Sequence, residues 1–270
     1  MQAGLYIVGT PIGNLGDLSP RALETLKSAD LVLCEDTRVF GTLAAKFGIE
    51  TRRAQLHEHN EREAVPDLIK KMEGGEAVAL ASDSGMPTIS DPGFRLVRAA
   101  REAGVPVFAV PGPTAFAAAL SISGFPTDRF SFLGFLPSAD AARKTELIGA
   151  ARLPGTLIYY ESPNRIKETI GELAAIMPER RLAVARELTK IHEEVITGYP
   201  ADFPEFTAKG EIVLLIEPAA KPKLSDEDIR EIVEDVVKSA KSTKDAAGEI
   251  AKRGGISKSE AYTKALGAKR

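Results

Sequence analysis

The sequence predicts an α/β protein built from two sheet-bearing halves and a small helical tail. Three observations support this. Over the first half, short apolar runs alternate with stretches whose apolar residues recur at helical spacing, the pattern of a largely parallel sheet flanked by helices. Over the second half the strand-like runs crowd together with fewer helices between them, as in a mixed α+β layer. Beyond residue 222 only helical patterns remain. The expected domains are therefore an N-terminal α/β domain over 1–111, a second α+β domain over 112–217 and a helical unit over 223–270.

In chain order, compact β-rich runs followed by turn residues predict strands at 5–8, 31–33, 77–81 and 105–110. Helices are expected between and after them at 20–27, 39–47, 64–72 and 94–103. Ser19 supplies an N-cap ahead of Pro20 at the first helical position, and Gly104 stands where a helix-ending glycine belongs. In the second half strands are expected at 130–136, 156–160, 182–187, 194–197 and 211–216, with helices near 139–151 and 163–177. A linker over 218–223 leads to a helix capped by Ser225 and ending near Ala240. Helices at 244–253 and 257–266 follow, parted by Gly254 and Gly255. Such a unit resembles a small helix-turn-helix-like bundle, marginal for an independent core.

Composition narrows the function classes. Hydrophobic residues make up 44% of the chain and charged residues 27%, as in a globular protein with a sizeable core. No run approaches the roughly 20 apolar residues of a membrane span. The opening Met1-Gln2-Ala3-Gly4, passing straight into Leu5-Tyr6-Ile7-Val8, reads as a first strand and not as a signal peptide. A lone cysteine, Cys34, excludes an intrachain disulfide and makes the cytoplasm the expected compartment. The net charge of −3 gives no global sign of a nucleic-acid partner. The tail differs: Lys238, Lys241, Lys244, Lys252, Arg253, Lys258, Lys264, Lys269 and Arg270 face only Asp245, Glu249 and Glu260. That local basicity fits either an RNA contact or a solvated helical face. His57 and His59, two apart with no further His or Cys beside them, make a poor zinc site, and no metal is expected.

Three loops concentrate the chemistry. The first, Gly9-Thr10-Pro11-Ile12-Gly13-Asn14-Leu15-Gly16-Asp17, spaces its glycines as G-xxx-G-xx-G, not as a dinucleotide-binding G-x-G-x-x-G. Pro11 also removes a backbone donor from the segment that would wrap a pyrophosphate. Glu35 and Asp36 leave room for a ribose-binding acid of the ordinary dinucleotide fold, and a ligand-free glycine turn is the plainer alternative. The second loop, Ser82-Asp83-Ser84-Gly85-Met86-Pro87-Thr88-Ile89-Ser90-Asp91-Pro92-Gly93, follows a buried strand and precedes a helix. It therefore opens at the sheet edge where α/β proteins bind ligands. The third, Pro111-Gly112-Pro113-Thr114-Ala115, repeats that placement. Three rigid loops at one edge favour a site for a polar small molecule over simple connectors.

These loops are similar to those of the tetrapyrrole (corrin/porphyrin) methylase superfamily, and within it to its branch of bacterial small-subunit ribosomal RNA methyltransferases, the cytidine-2′-O enzymes. Further matches are Cys34-Glu35-Asp36-Thr37-Arg38, Phe132-Leu133-Gly134-Phe135-Leu136-Pro137, Tyr160-Glu161-Ser162-Pro163-Asn164-Arg165 and the stretch from Ala185 to Glu194. The likeness runs from about Leu5 to Ile216, and the tail resembles that branch's small extra domain. Where corrin and porphyrin methylases usually carry Gly-Asp-Pro, this chain has Ser82-Asp83-Ser84-Gly85, which fits the RNA branch. The resemblance implies a tetrapyrrole-methylase-like fold with a cofactor cleft between its two α/β halves. By position it implies Ile12, Asp83, Met86, Thr114, Ala115 and Tyr159 or Tyr160 beside S-adenosylmethionine. It further implies methylation of a cytidine ribose in 16S ribosomal RNA within the small subunit, by a homodimer, with neither membrane nor DNA as partner. A tetrapyrrole methyltransferase and a non-catalytic RNA-binding assembly factor are the alternatives.

Methyl transfer from a sulfonium mainly needs donor and acceptor held in line, but a ribose hydroxyl is a poor nucleophile at neutral pH and gains from a base. Candidate catalytic residues fall in two clusters: Asp36 and Arg38 after the second strand, with Glu35 beside them, and Glu187 and Lys190 after a second-half strand, with His192 and Glu193 nearby. Each cluster also reads as a structural ion pair. Arg165, Lys252, Arg253 and Lys258 are the expected contacts to RNA.

Overall fold

The structure, a computed structural model, describes residues 1–219, 225–240 and 242–268. The first half runs β1 (Gly4–Val8), α1 (Pro20–Ser28), β2 (Leu31–Cys34), α2 (Thr37–Phe47), β3 (Arg53–Gln55), α3 (Glu61–Glu73), β4 (Ala77–Ala81), α4 (Phe94–Glu102), β5 (Val107–Val110) and α5 (Ala115–Ser123). Ser19 accepts from the Ala22 amide at the start of α1, with Pro20 first in the helix. Gly104 adopts a left-handed φ of 73° just past α4, a conformation that costs a residue with a Cβ.

The five strands form one parallel sheet in the order β3-β2-β4-β1-β5. Successive residues of β1 point to opposite faces. Val8 packs under α1 and α2 with Leu26, Phe40 and Ala44, whereas Leu5 and Ile7 pack under α3 and α4 with Leu68 and Leu96. Helices therefore cover both faces, which is why β4 reads as a continuous apolar run with all five residues buried. The chain leaves β1 toward β2 on one side and leaves β4 toward β5 on the other. A crevice consequently opens between the C-terminal ends of β1 and β4.

The buried Glu61 at the start of α3 holds α4 in place, accepting a hydrogen bond from the Leu96 amide at 3.0 Å. Replacement by alanine strands that amide, and Glu61→Ala is expected to destabilise the protein by about 1–3 kcal/mol. Glu61→Gln, which keeps an acceptor, should lose less; denaturant melts of the two variants check the ordering.

The second half runs β6 (Phe130–Phe135), α6 (Asp140–Ala150), β7 (Thr156–Glu161), α7 (Ile166–Ile176), β8 (Leu182–Arg186), β9 (Glu194–Gly198) and β10 (Ile212–Ile216). Its sheet, β6-β7-β10-β8-β9, pairs β6 with β7 in parallel and is antiparallel elsewhere. One face packs on α6 and α7; the other packs on α5 and receives Ile12 from the turn after β1. Both sheets lie in one compact unit, Met1–Ala219.

Two elements carry no sequence signal. The strand β3 is three residues long with an exposed-half-buried-exposed pattern, too short for alternation to register. The helix α5 reads AFAAALSIS and is apolar almost all round, so it lacks the polar stripe that marks an amphipathic helix.

The second unit, Ala220–Arg270, holds α8 (Asp226–Ser239), α9 (Thr243–Gly254) and α10 (Lys258–Ala268). Ser225 and Asp228 form a reciprocal capping box at α8, and Gly255 ends α9 with a left-handed φ of 64°. The three helices bury Ile229, Val233, Val236 and Ile250 among small alanines. Of the expected linker, Ala220, Lys221, Pro222 and Lys223 lie outside the described residues, as do Lys241, Lys269 and Arg270 of the basic tail. Among the described residues no helix is long and apolar enough to cross a membrane.

Candidate functional site

The turns after β1, β4 and β5 are fastened to one another. Thr10 donates from its amide to the Gly85 carbonyl at 2.9 Å and from its hydroxyl to the Ser82 carbonyl at 3.0 Å. The Gly9 amide donates to the Val110 carbonyl at 3.0 Å. Glycine is required here because the backbones touch: a Cβ on Gly9 would lie 2.6 Å from Gly112 backbone atoms and 2.7 Å from the Met86 sulfur. Gly85, at φ 87°, is wedged between Ile12 and the Pro113 carbonyl.

Between these turns and the second sheet lies a cavity of about 300 Å³. Ile12, Met86, Ala115 and Val213 give it an apolar lining, and Thr114, Ser84, Ser90, Asp91 and the Tyr160 ring bring polar groups to it. Phe135, 61% exposed, stands at its side, edge-on to Tyr160 with ring centroids 5.2 Å apart. An apolar pocket with a few convergent polar groups is the usual form of a small-molecule site.

Backbone strain gathers at the same place. Among the described residues the non-glycine positions with left-handed φ are Thr88 and Ser90 in the turn after β4, and Glu187 and Thr189 in the loop after β8. Such conformations each cost on the order of 1 kcal/mol or more and persist where surrounding structure imposes them.

The site is acidic. Burial, with the negative charges of Glu35, Asp83 and Glu211 nearby, pushes the half-buried Asp91 carboxyl up to about 7, against a partly opposing hydrogen bond with Ser82. Glu35 and Asp83 are likewise raised, chiefly by burial. Cys34 is buried beneath, its thiol pushed up to about 11 mainly by burial and so unsuited to nucleophilic work.

Of the residues expected beside a cofactor, the structure brings Ile12, Met86, Thr114, Ala115 and Tyr160 to the cavity wall. Asp83 instead faces an adjoining hollow beside α2, where it accepts from the Asp36 amide at 3.3 Å. Tyr159 requires correction: strand alternation turns it to the opposite face of the sheet, fully buried against α6 and α7, with its hydroxyl 3.2 Å from Glu146.

The two expected catalytic clusters are both ion pairs. Asp36 caps α2 through the Arg38 amide at 2.8 Å and holds the Arg38 guanidinium at 2.7 Å, bonds that keep its carboxyl well below the usual range. Neither Asp36 nor Arg38 lines the cavity. Lys190 lies 3.0 Å from Glu187 and 3.9 Å from Glu211, its stem lying where a Cβ on Gly13 would stand. This places Lys190 between the turn after β1 and the loop after β8, at the rim of the site.

Arg165 also departs from expectation, because its guanidinium lies 2.8 Å from the fully buried Glu161 carboxylate and neutralises it. In the helical unit Arg253 pairs with Asp235 at 2.7 Å, while Lys252 and Lys258 are exposed. His57 accepts from the Asn60 amide, and among the described residues no cluster of three His, Cys, Asp or Glu is placed to hold a metal. Asp91 and Glu211 were not among the expected site residues. Asp91 stood in a recognised loop, but nothing local marked it as the carboxylate that folding would half bury.

The family model described as "Tetrapyrrole (Corrin/Porphyrin) Methylases" matches residues 4–203. Among curated relatives, a protein named "Ribosomal RNA small subunit methyltransferase I" from Mesorhizobium japonicum is 44% identical, over 98% of this chain and 92% of its own length. Proteins of the same name from Escherichia coli O157:H7 and Synechocystis are 42% and 41% identical, over 98% and 97% of this chain and 95% and 97% of theirs. Among solved structures, the methyltransferase CobJ matches with a TM-score of 0.61 at 19% identity, over 83% of this chain and 97% of that one. A uroporphyrin-III-C-methyltransferase from Thermus thermophilus matches at 0.55 and 24%, over 80% of this chain and 94% of that one. These two likenesses concern the fold.

Proposed function

We propose, for a chain that belongs to the tetrapyrrole methylases and within them to the ribosomal RNA small subunit methyltransferase I family, that it methylates the ribose 2′-hydroxyl of a cytidine in 16S ribosomal RNA, using S-adenosylmethionine. The observation that carries the reading is the cavity built where three mutually fastened turns meet the second sheet. Its residues fit the cofactor. Ile12, Met86, Ala115 and Val213 offer the apolar surface an adenine needs, and Thr114 offers a hydroxyl. Asp91 and Glu211 offer negative charge toward a sulfonium. When bound, S-adenosylmethionine supplies an electrophilic methyl group.

The protein's own part is alignment and proton removal. The tied turns fix the donor's surroundings before the acceptor arrives, so little reorganisation is left for the reaction. Asp91, with an affinity for protons matched to neutral pH, takes the hydroxyl proton onto its carboxylate. Lys190, oriented by Glu187 and Glu211, is the cation at the rim, and Asp36 with Arg38 shapes the neighbouring turn. Lys252 and Lys258 supply exposed charge to RNA from the helical unit.

Transfer of labelled methyl groups to unmodified small subunits, to free ribosomal RNA and to uroporphyrinogen tests the proposal. Ribose-methylated cytidine in nuclease digests of the subunit RNA is the expected product. Methylation of uroporphyrinogen alone, or no uptake of S-adenosylmethionine by calorimetry, would overturn it.

A further inference from the structure

Away from the cavity, α3 and α4 frame a surface groove of about 390 Å³ lined by Arg62, Arg95, Arg98 and the Phe94 ring, with Val65 and Ala99 at its base. Phe94 is 65% exposed, an unusual position for a large aromatic ring at the start of a helix. Arg98 is held by Glu102 at 2.9 Å, whereas Arg62 and Arg95 enter no ion pair among the described residues. Three guanidinium groups against the one carboxylate of Glu102 leave the groove positive on a chain whose net charge is −3.

The groove is not isolated. Phe94 and Arg95 also line the next hollow, and Ser90 and Asp91 line both that hollow and the cavity. The arginine groove, this hollow and the cavity are therefore neighbours that share lining residues in succession. Apart from Arg95 the charged residues lining the middle hollow are acidic, namely Glu35, Glu58, Glu61 and Asp91. Coulomb forces favour a phosphate at the arginine end over one in the acidic hollow.

We infer that the Arg62–Arg95–Arg98 groove binds the phosphate backbone of single-stranded RNA next to the target nucleotide, with Phe94 as a stacking surface for one of its bases. Arginine forks match phosphate oxygens, and an exposed ring beside them is the pairing that single-strand binders use. This inference rests on the reading that the acceptor is RNA.

The test measures binding of a short fluorescein-labelled single-stranded RNA to the full chain across a salt series, with S-adenosylhomocysteine uptake followed separately by calorimetry. Replacing Arg62, Arg95 and Arg98 together by alanine should weaken RNA binding about tenfold or more. It should also lower the slope of log affinity against log salt by about 2, given about 0.7 per phosphate contact on a single strand. Lysine at the same three positions should retain most of that slope, and Phe94→Ala should cost about fivefold or more with the slope unchanged. Unchanged affinity and slope in the triple alanine variant, with S-adenosylhomocysteine uptake intact, overturn the inference. So does equal competition by poly-glutamate, which would mark a generic acidic-protein surface. If the wild-type chain takes up no S-adenosylhomocysteine yet the triple variant loses RNA, the methyl-donor reading fails and the groove assignment stands.

Discussion

Asp91→Asn is expected to lower the single-turnover methylation rate by about two to four orders of magnitude, the usual contribution of a positioned general base. The wild-type rate should climb with pH and level off above about 7, where the Asp91 carboxyl is ionised. The variant should lose that limb. Stability should move the other way. In the unfolded chain an aspartate ionises near 4, so between about 4 and 7 the folded state holds a proton that the unfolded state has released. Folding stability therefore falls as pH rises through that window, and above it the buried negative charge is a standing cost. Asn carries no such charge. At pH 8 the variant should be the more stable protein by on the order of 1 kcal/mol, after allowing for solvent screening of a half-buried group, while near pH 4 the two should converge. Lower activity together with higher alkaline stability distinguishes a base from a damaged fold. A variant that methylates at the wild-type rate with the wild-type pH profile removes Asp91 from the mechanism.

Gly112→Ala should sharply weaken cofactor uptake without touching any charged group. Its Cβ would lie 2.8–2.9 Å from the Cα, C and O atoms of Gly9. These are backbone atoms of the neighbouring turn and cannot rotate aside as a side chain would. The turns after β1 and β5 must part, and with them goes the hydrogen bond from the Gly9 amide to the Val110 carbonyl. A loss of about 2–3 kcal/mol in stability and at least about a hundredfold in S-adenosylhomocysteine affinity is expected. Gly149→Ala in α6, where the added methyl meets nothing within 4 Å, is the control and should be neutral or slightly stabilising. Wild-type calorimetry from Gly112→Ala would mean that contact between the turns plays no part in holding the donor.

How much of this was legible beforehand differs between fold and site. The parallel sheet was readable because burial on both faces leaves apolar runs such as 77–81, and because Ser19-Pro20 and Gly104 punctuate the helices by purely local chemistry. The cavity-lining turns were readable because glycine and proline impose backbone geometry on their own neighbours. The pairing of charges was not. Arg165 had the composition of a phosphate contact, yet the fold buries Glu161 beside it and takes up its charge. Tyr159 and Tyr160 are adjacent and identical in the chain, and only the register of β7 against β10 decides which one meets the cavity.

By itself, then, the sequence determined what depends on near neighbours: element type, caps, turn geometry and the order of motifs along the chain. Tertiary structure alone decided what depends on residues distant in sequence. It half buries Asp91 among carboxylates from other segments, Glu35 and Glu211 with the nearer Asp83. It also gathers Arg62 and Arg95 into one groove from separate helices. The physical reason is range, since backbone torsions respond to adjacent atoms whereas desolvation and Coulomb forces respond to whatever folding brings within a few ångströms.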